Sequence, residues 1–144
     1  MTDRLREARE LLHREGHRLV TAGKFTYASD GRGVAPLLGL VDGGISLESS
    51  VAADKVVGRA AAFLYVLLKV DGVYADVISV PAERVLIEYG IDYSFGNMVG
   101  GIVNRTGDDA CPMESAVMDV YDPDEALGKI REALEMLKIK QNNT

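Results

Sequence analysis

Three short stretches of this sequence carry side chains able to do chemistry. Asp54-Lys55 stands at the predicted start of a long helix running from about Lys55 to Lys69. There Lys55 offers a cation, Asp54 can orient it or move a proton, and burial would lower the lysine pKa toward base chemistry. The plainer alternative is that Asp54 caps the helix and Lys55 merely pairs with it. Cys111, directly before Pro112, is placed at a helix N-terminus, where partial positive charge favours thiolate and so nucleophilic or redox chemistry. Asp108 and Asp109 oppose that by raising the thiol pKa, and a lone cysteine is often only a small buried hydrophobe. Glu114, three residues on, is a candidate general acid or base, or else completes a capping arrangement of the C-x-x-E kind. Gly31-Arg32-Gly33 precedes a helix, so its backbone N–H groups and guanidinium are suited to a phosphate or carboxylate; the alternative is an ordinary bend. Asn104, with Asn97 and Arg105, lies in a glycine-rich stretch from Gly96 to Ala110 and extends that ligand-binding set, since long loops in compact domains are often functional.

Other chemistries are set aside by residue inventory. The two histidines, His13 and His17, and the single cysteine cannot supply the three or four ligands of a zinc site, so neither a metal site nor a cofactor is expected. Met98, Met113 and Met118 are read as core filling. A formal net charge of −6 argues against broad electrostatic capture of nucleic acid. The longest apolar run, Ala60 to Leu68, is about half of what a bilayer core demands, so no membrane span is expected. One unpaired thiol and a charged N-terminus without an apolar segment point to the cytoplasm.

These residues need elements to position them. Residues 1–144 read as one domain. Residues 1–16 form a covering helix capped by Thr2 and ended by Gly16. His17 to Ala22 and Lys24 to Ser29 form a hairpin. Val34 to Asp42 is a short helix with Pro36 in its first turn, stopped by Gly43-Gly44. Ser50 to Ala53 is brief and extended, and the following apolar helix is central. Gly72 to Val80 is a buried strand; Pro81 opens a helix ending at Gly90; Ile91 to Phe95 and a short run from Met98 to Val103 are further strands. The segment from Cys111 to Val120 is left open between helix and strand. Asp122-Pro123-Asp124-Glu125 starts a C-terminal helix over 122–138. Strands alternating with helices behind a hairpin imply a mixed sheet with an antiparallel hairpin edge in a three-layer α/β/α sandwich.

The order hairpin, helix, buried strand, helix, strand resembles the cytidine-deaminase-like fold over roughly residues 17 to 120, and Val80 to Gly90 resembles the deaminase segment that begins P-C-x-x-C. In zinc deaminases those cysteines and a His or Cys of the preceding helix hold the metal, while a Glu shuttles protons. Here Ala82 and Val85 occupy the cysteine positions, and Ala52 to Ala60, where H-A-E or C-A-E would start, holds neither His nor Cys. A closer resemblance is to DUF1893, a family of uncharacterised bacterial and archaeal proteins of that fold. It is carried by Gly31-Arg32-Gly33-Val34, by Ala53 to Ala61 and by Cys111-Pro112-Met113-Glu114. This resemblance implies a deaminase-like fold without the zinc ligands and bears on the fold more than on the function; on that fold Asp54-Lys55 would lie beside the former metal pocket.

The leading expectation is a zinc-free small-molecule-binding protein whose anionic or nucleotide-like ligand sits near Arg32, Asp54 and Lys55. The alternatives are a metal-independent enzyme using Cys111 with Lys55 or Glu114, and a homodimeric assembly module using the Ala60 to Leu68 helix.

Overall fold

A computed structural model of the chain describes residues 1–102 and 111–142. Helix α1 (Asp3–Glu15) begins where the Thr2 hydroxyl accepts the Leu5 N–H at 3.2 Å, and it ends at Gly16, whose φ of 72° is the left-handed cap that glycine adopts without strain. Its apolar stripe, Leu5, Ala8 and Leu12, is buried. Strands β1 (Leu19–Gly23) and β2 (Tyr27–Ser29) form the expected antiparallel hairpin, and α2 (Ala35–Asp42) follows with its proline in the first turn. Then come β3 (Ser50–Val57), α3 (Arg59–Leu68), β4 (Gly72–Ser79), α4 (Val80–Glu88), β5 (Asp92–Val99), α5 (Pro112–Ala116) and α6 (Pro123–Asn142).

The five-stranded sheet has the order β2-β1-β3-β4-β5, with β1 antiparallel to both neighbours and β3, β4 and β5 parallel. Helix α1 covers one face with a small core of Leu5, Ala8, Leu12, Val20, Val51, Ala53 and Tyr74. The larger core lies on the other face, where α3 is enclosed by α2, α4, α5 and α6. The architecture is a three-layer α/β/α sandwich. Among the described residues no helix is long and apolar enough to cross a membrane.

Three expectations are corrected. The helix expected from Lys55 starts only at Arg59, because β3 continues to Val57. Strand β3 is central and pairs with β1 on one side and β4 on the other, and valines at 51, 56 and 57 suit a pleated surface; sheet pairing outweighs the capping preference of Asp54. Gly96 does not break the last strand. A side chain there would meet the Asp76 carbonyl oxygen at 3.0 Å and the Tyr74 hydroxyl at 3.3 Å, so glycine lets β5 run unbroken beside β4. Met118 is 61% exposed rather than in the core, since α5 stops at Ala116 and the turn after it directs Met118 outward, whereas Met113 is buried as expected. The Ala60 to Leu68 helix packs against α2, α4, α5 and α6 of its own chain, with Val66 and Leu67 half-buried.

Candidate functional site

A cleft of about 100 Å³ lies beside the C-terminal half of β3, bounded by the segment leading into α2 and by the start of α5. It gathers Gly31, Gly33, Asp54, Lys55, Cys111 and Glu114, six of the residues singled out from sequence, together with Arg18, which was not. Arg32 is exposed and is not among the lining residues. Asn104 and Arg105 lie outside the described residues, and Asn97 is exposed on β5.

Neighbouring strand residues point to opposite faces, and this separates Asp54 from Lys55. The Asp54 carboxyl turns toward α3, where it accepts the Tyr65 hydroxyl at 2.7 Å. Burial pushes Asp54 up to about 7, against the lowering effect of the Tyr65 hydroxyl, of the Val56 and Lys55 N–H groups and of the Arg18 charge. Tyr65, itself buried and facing that carboxyl, is raised well above the usual phenol range and keeps its proton. Asp54 is therefore a carboxyl that changes charge near neutrality.

Lys55 instead sits with its Nζ 3.5 Å from Asp76 on the α1 side of the sheet. Asp76 also meets His13 Nε2 at 2.7 Å and accepts the Tyr74 hydroxyl at 2.9 Å. The expected Asp54–Lys55 pair is thus replaced by a cluster that ties α1 to β3 and β4. Burial works to raise Asp76, but the hydrogen bonds from His13 and Tyr74 and the charges of His13 and Lys55 outweigh it and hold the carboxyl below its ordinary range. A lowered acid stabilises the fold above its unfolded-state pKa, and that contribution is lost as pH falls through the folded-state value. Asp76→Asn should cost about 1 kcal/mol at pH 7 and progressively less as the pH falls below the ordinary carboxylate range, measured by urea unfolding across that pH series.

Glu114 does not cap its own helix. From α5 its two carboxylate oxygens reach across to α3, accepting the Arg59 N–H at 2.6 Å and the Ala60 N–H at 2.9 Å. The N-cap residue of α3 is Gly58, which has no side chain to do this, so Glu114 satisfies the orphan donors and complements the helix dipole from 54 positions away in sequence. Burial raises the Glu114 carboxyl, opposed by those N–H groups and the Arg59 charge. Arg59 is itself 7% exposed. Its guanidinium donates to the carbonyls of Val117 at 3.0 Å, Val120 at 2.5 Å and Pro81 at 3.4 Å, and lies between the rings of Phe63 and Tyr121 at 5.0 and 5.1 Å. Sequence reasoning passed over Arg59, although a lone charge opening an apolar helix was the available signal.

Cys111 is half-buried at the start of α5, and its N–H donates to the Ile102 carbonyl at 3.0 Å. Gly33 has a φ of 65°, the left-handed region that favours glycine, and a side chain at Gly31 would meet the ring of Pro36 at 2.9 Å, so one glycine serves a backbone turn and the other a close approach. The positions assigned to zinc-binding cysteines carry Ala82 and Val85, both buried, and the start of α3 is occupied by the Glu114 carboxylate. These residues do not fit a zinc ion. His13 and His17 are held apart by separate partners, Asp76 and Asp30.

Fold and cleft together define an α/β/α protein with a small cleft beside the C-terminal half of β3, the end of the strand at which open α/β sheets form crevices. The chain belongs to the DUF1893 family: the family model, described as a domain of unknown function, matches residues 7–134. A crystal structure of a DUF1893 family protein from Thermotoga maritima, TM1506, is similar over 94% of this chain and 91% of that one, with 30% identity and a TM-score of 0.83. No curated protein matches the chain.

Proposed function

We propose that this protein binds a small, neutral ligand through a head group that presents a carbonyl beside an N–H, as a carboxamide or the edge of a pyrimidine-type base does. The observation that carries the reading is Asp54, a half-buried carboxyl held against Tyr65 with Arg18 nearby. Such a pair offers one partner to a ligand N–H and one to a ligand carbonyl. Keeping a carboxyl in a poor solvation environment opposes folding, and strongly shifted groups in clefts concentrate at functional sites. An anion is favoured less, because the predicted cations do not converge: Lys55 faces Asp76, and Arg32 is not on the cleft. The size also speaks for a head group, since a cavity of about 150 Å³ holds a benzene ring. The strand order and hairpin edge support the cytidine-deaminase-like reading of the fold.

Catalysis at Cys111 is the second reading, favoured by its place on the same cleft as Asp54. Its proposed proton carriers are otherwise engaged, Lys55 by Asp76 and Glu114 by α3, which leaves Asp54 as the remaining base among the described residues of the cleft.

The test is a thermal-shift screen of nucleosides, nucleotides, sugar phosphates and simple carboxamides against the protein and Asp54→Asn. A ligand that prefers the folded state raises its stability by mass action. Amide-bearing neutral compounds should raise the Tm of the protein and lose at least about tenfold in affinity with Asp54→Asn, a loss of the size expected for one hydrogen bond to a charged group. A response to sugar phosphates alone, or to nothing at up to 10 or so millimolar, defeats the reading.

A further inference from the structure

A second cavity, of about 420 Å³, opens beside the first. It runs along α4 past Pro81, Arg84 and Glu88, which recur at helical spacing and so form one stripe about 10 Å long. Met118 and Tyr121 are on its wall. Ile102 and Glu114 line both cavities. The Glu114 carboxylate, pinned to the start of α3, is therefore part of the partition between them.

The two recesses differ in chemistry. The first is small and centred on Asp54. The second presents Tyr121, 68% exposed, and Met118, 61% exposed. The Tyr121 ring is positioned by the Arg59 guanidinium beneath it, and the Tyr89 hydroxyl donates to the Tyr121 carbonyl at 3.2 Å, so this surface is fixed in place although it fills no core. Arg59 and Arg84 are matched in charge by Glu88 and Glu114, so the lining carries no net demand for a charged ligand. Small-molecule sites usually span about 300–1,000 Å³. The second cavity falls within that range by itself, and the first, below it, is of a size for a head group only.

We propose that the two cavities are halves of one binding site: the first takes the amide head of the ligand, and the second takes an uncharged aromatic ring joined to it by a short linker across Glu114. The ring lies against Tyr121 and Met118, where offset stacking and thioether contact favour a planar apolar group. This rests on the head-group reading of the first cleft.

The experiment follows backbone amide resonances of the full chain with propionamide, benzyl alcohol and 3-phenylpropionamide as probes. Propionamide should move the amides of Gly33 and Asp54, benzyl alcohol those of Arg84, Met118 and Tyr121, and 3-phenylpropionamide both sets in one saturable titration. Burying a phenyl ring should make 3-phenylpropionamide bind at least about tenfold tighter than propionamide. Met118→Ala, a change at an exposed side chain, should remove several-fold of that gain and leave propionamide unaffected. Propionamide binding with no gain from the ring, or a gain untouched by Met118→Ala with Tyr121 unmoved, overturns the two-part site and leaves the head-group reading standing. No response of the first cleft to either amide overturns both.

Discussion

Gly58→Ala should destabilise the protein by about 3–4 kcal/mol, a far larger effect than glycine-to-alanine changes have at positions of ordinary backbone geometry. Gly58 has φ −96° and ψ −177°, which any residue adopts, so no conformational strain is at issue. The obstacle is Glu114: an added Cβ would fall within its carboxylate and crowd Ile102 at 3.0 Å. To make room, the carboxylate must leave the Arg59 and Ala60 N–H groups, giving up two charge-assisted hydrogen bonds and its interaction with the helix dipole. For a chain of this length the Tm should fall by about 10 °C. The double mutant provides the control. In a Glu114→Ala background the steric conflict with the carboxylate is gone, and Gly58→Ala should cost less than about 1 kcal/mol, so the two changes couple strongly. Additive costs from urea unfolding would mean that Gly58 is not there to admit Glu114.

Asp54→Asn should do the opposite and stabilise the protein at pH 8, by about 2–4 kcal/mol. The folded protein holds the Asp54 proton to about pH 7, whereas the unfolded chain releases it near 3.8. Between those values the folded state binds more protons, so stability at this group falls as pH rises, and above 7 the full cost of ionising this half-buried carboxyl is present. Asparagine keeps an oxygen to accept the Tyr65 hydroxyl and never ionises. The difference between the variant and the natural protein should therefore be close to zero near pH 4 and grow to its maximum by pH 8. A difference that does not vary with pH would show that Asp54 ionises normally. The same substitution is expected to weaken ligand binding, so Asp54 would be a residue kept for function at the expense of stability.

Much of the architecture was legible because it is local. Thr2 and Gly16 bound α1, Asp122 caps α6 by accepting the Glu125 N–H at 3.0 Å, and an apolar run from Ala60 to Leu68 had to be enclosed. The membership of the cleft was largely legible too, since Gly31, Gly33, Asp54, Cys111 and Glu114 carry unusual residue types for their surroundings. Their roles were not. Asp54 looked like a helix cap because aspartate before an apolar run usually is one, and only pairing of β3 on both sides makes it a strand residue. Arg18 gave no signal, since its importance comes from the alignment of β1 beside β3, where the Lys55 N–H donates to the Arg18 carbonyl at 2.9 Å.

By itself, then, the sequence determined most of the elements and their layering, because caps, glycines and apolar periodicity act within a few residues. Tertiary structure alone decided which way each polar group faces and what it meets. It sent Lys55 to Asp76 and Asp54 to Tyr65 from adjacent positions, and it carried Glu114 onto a helix 54 residues earlier. The reason is that strand alternation fixes a face only once the strand's neighbours are known, and a buried donor takes whichever acceptor the fold brings to it, with no regard for distance along the chain.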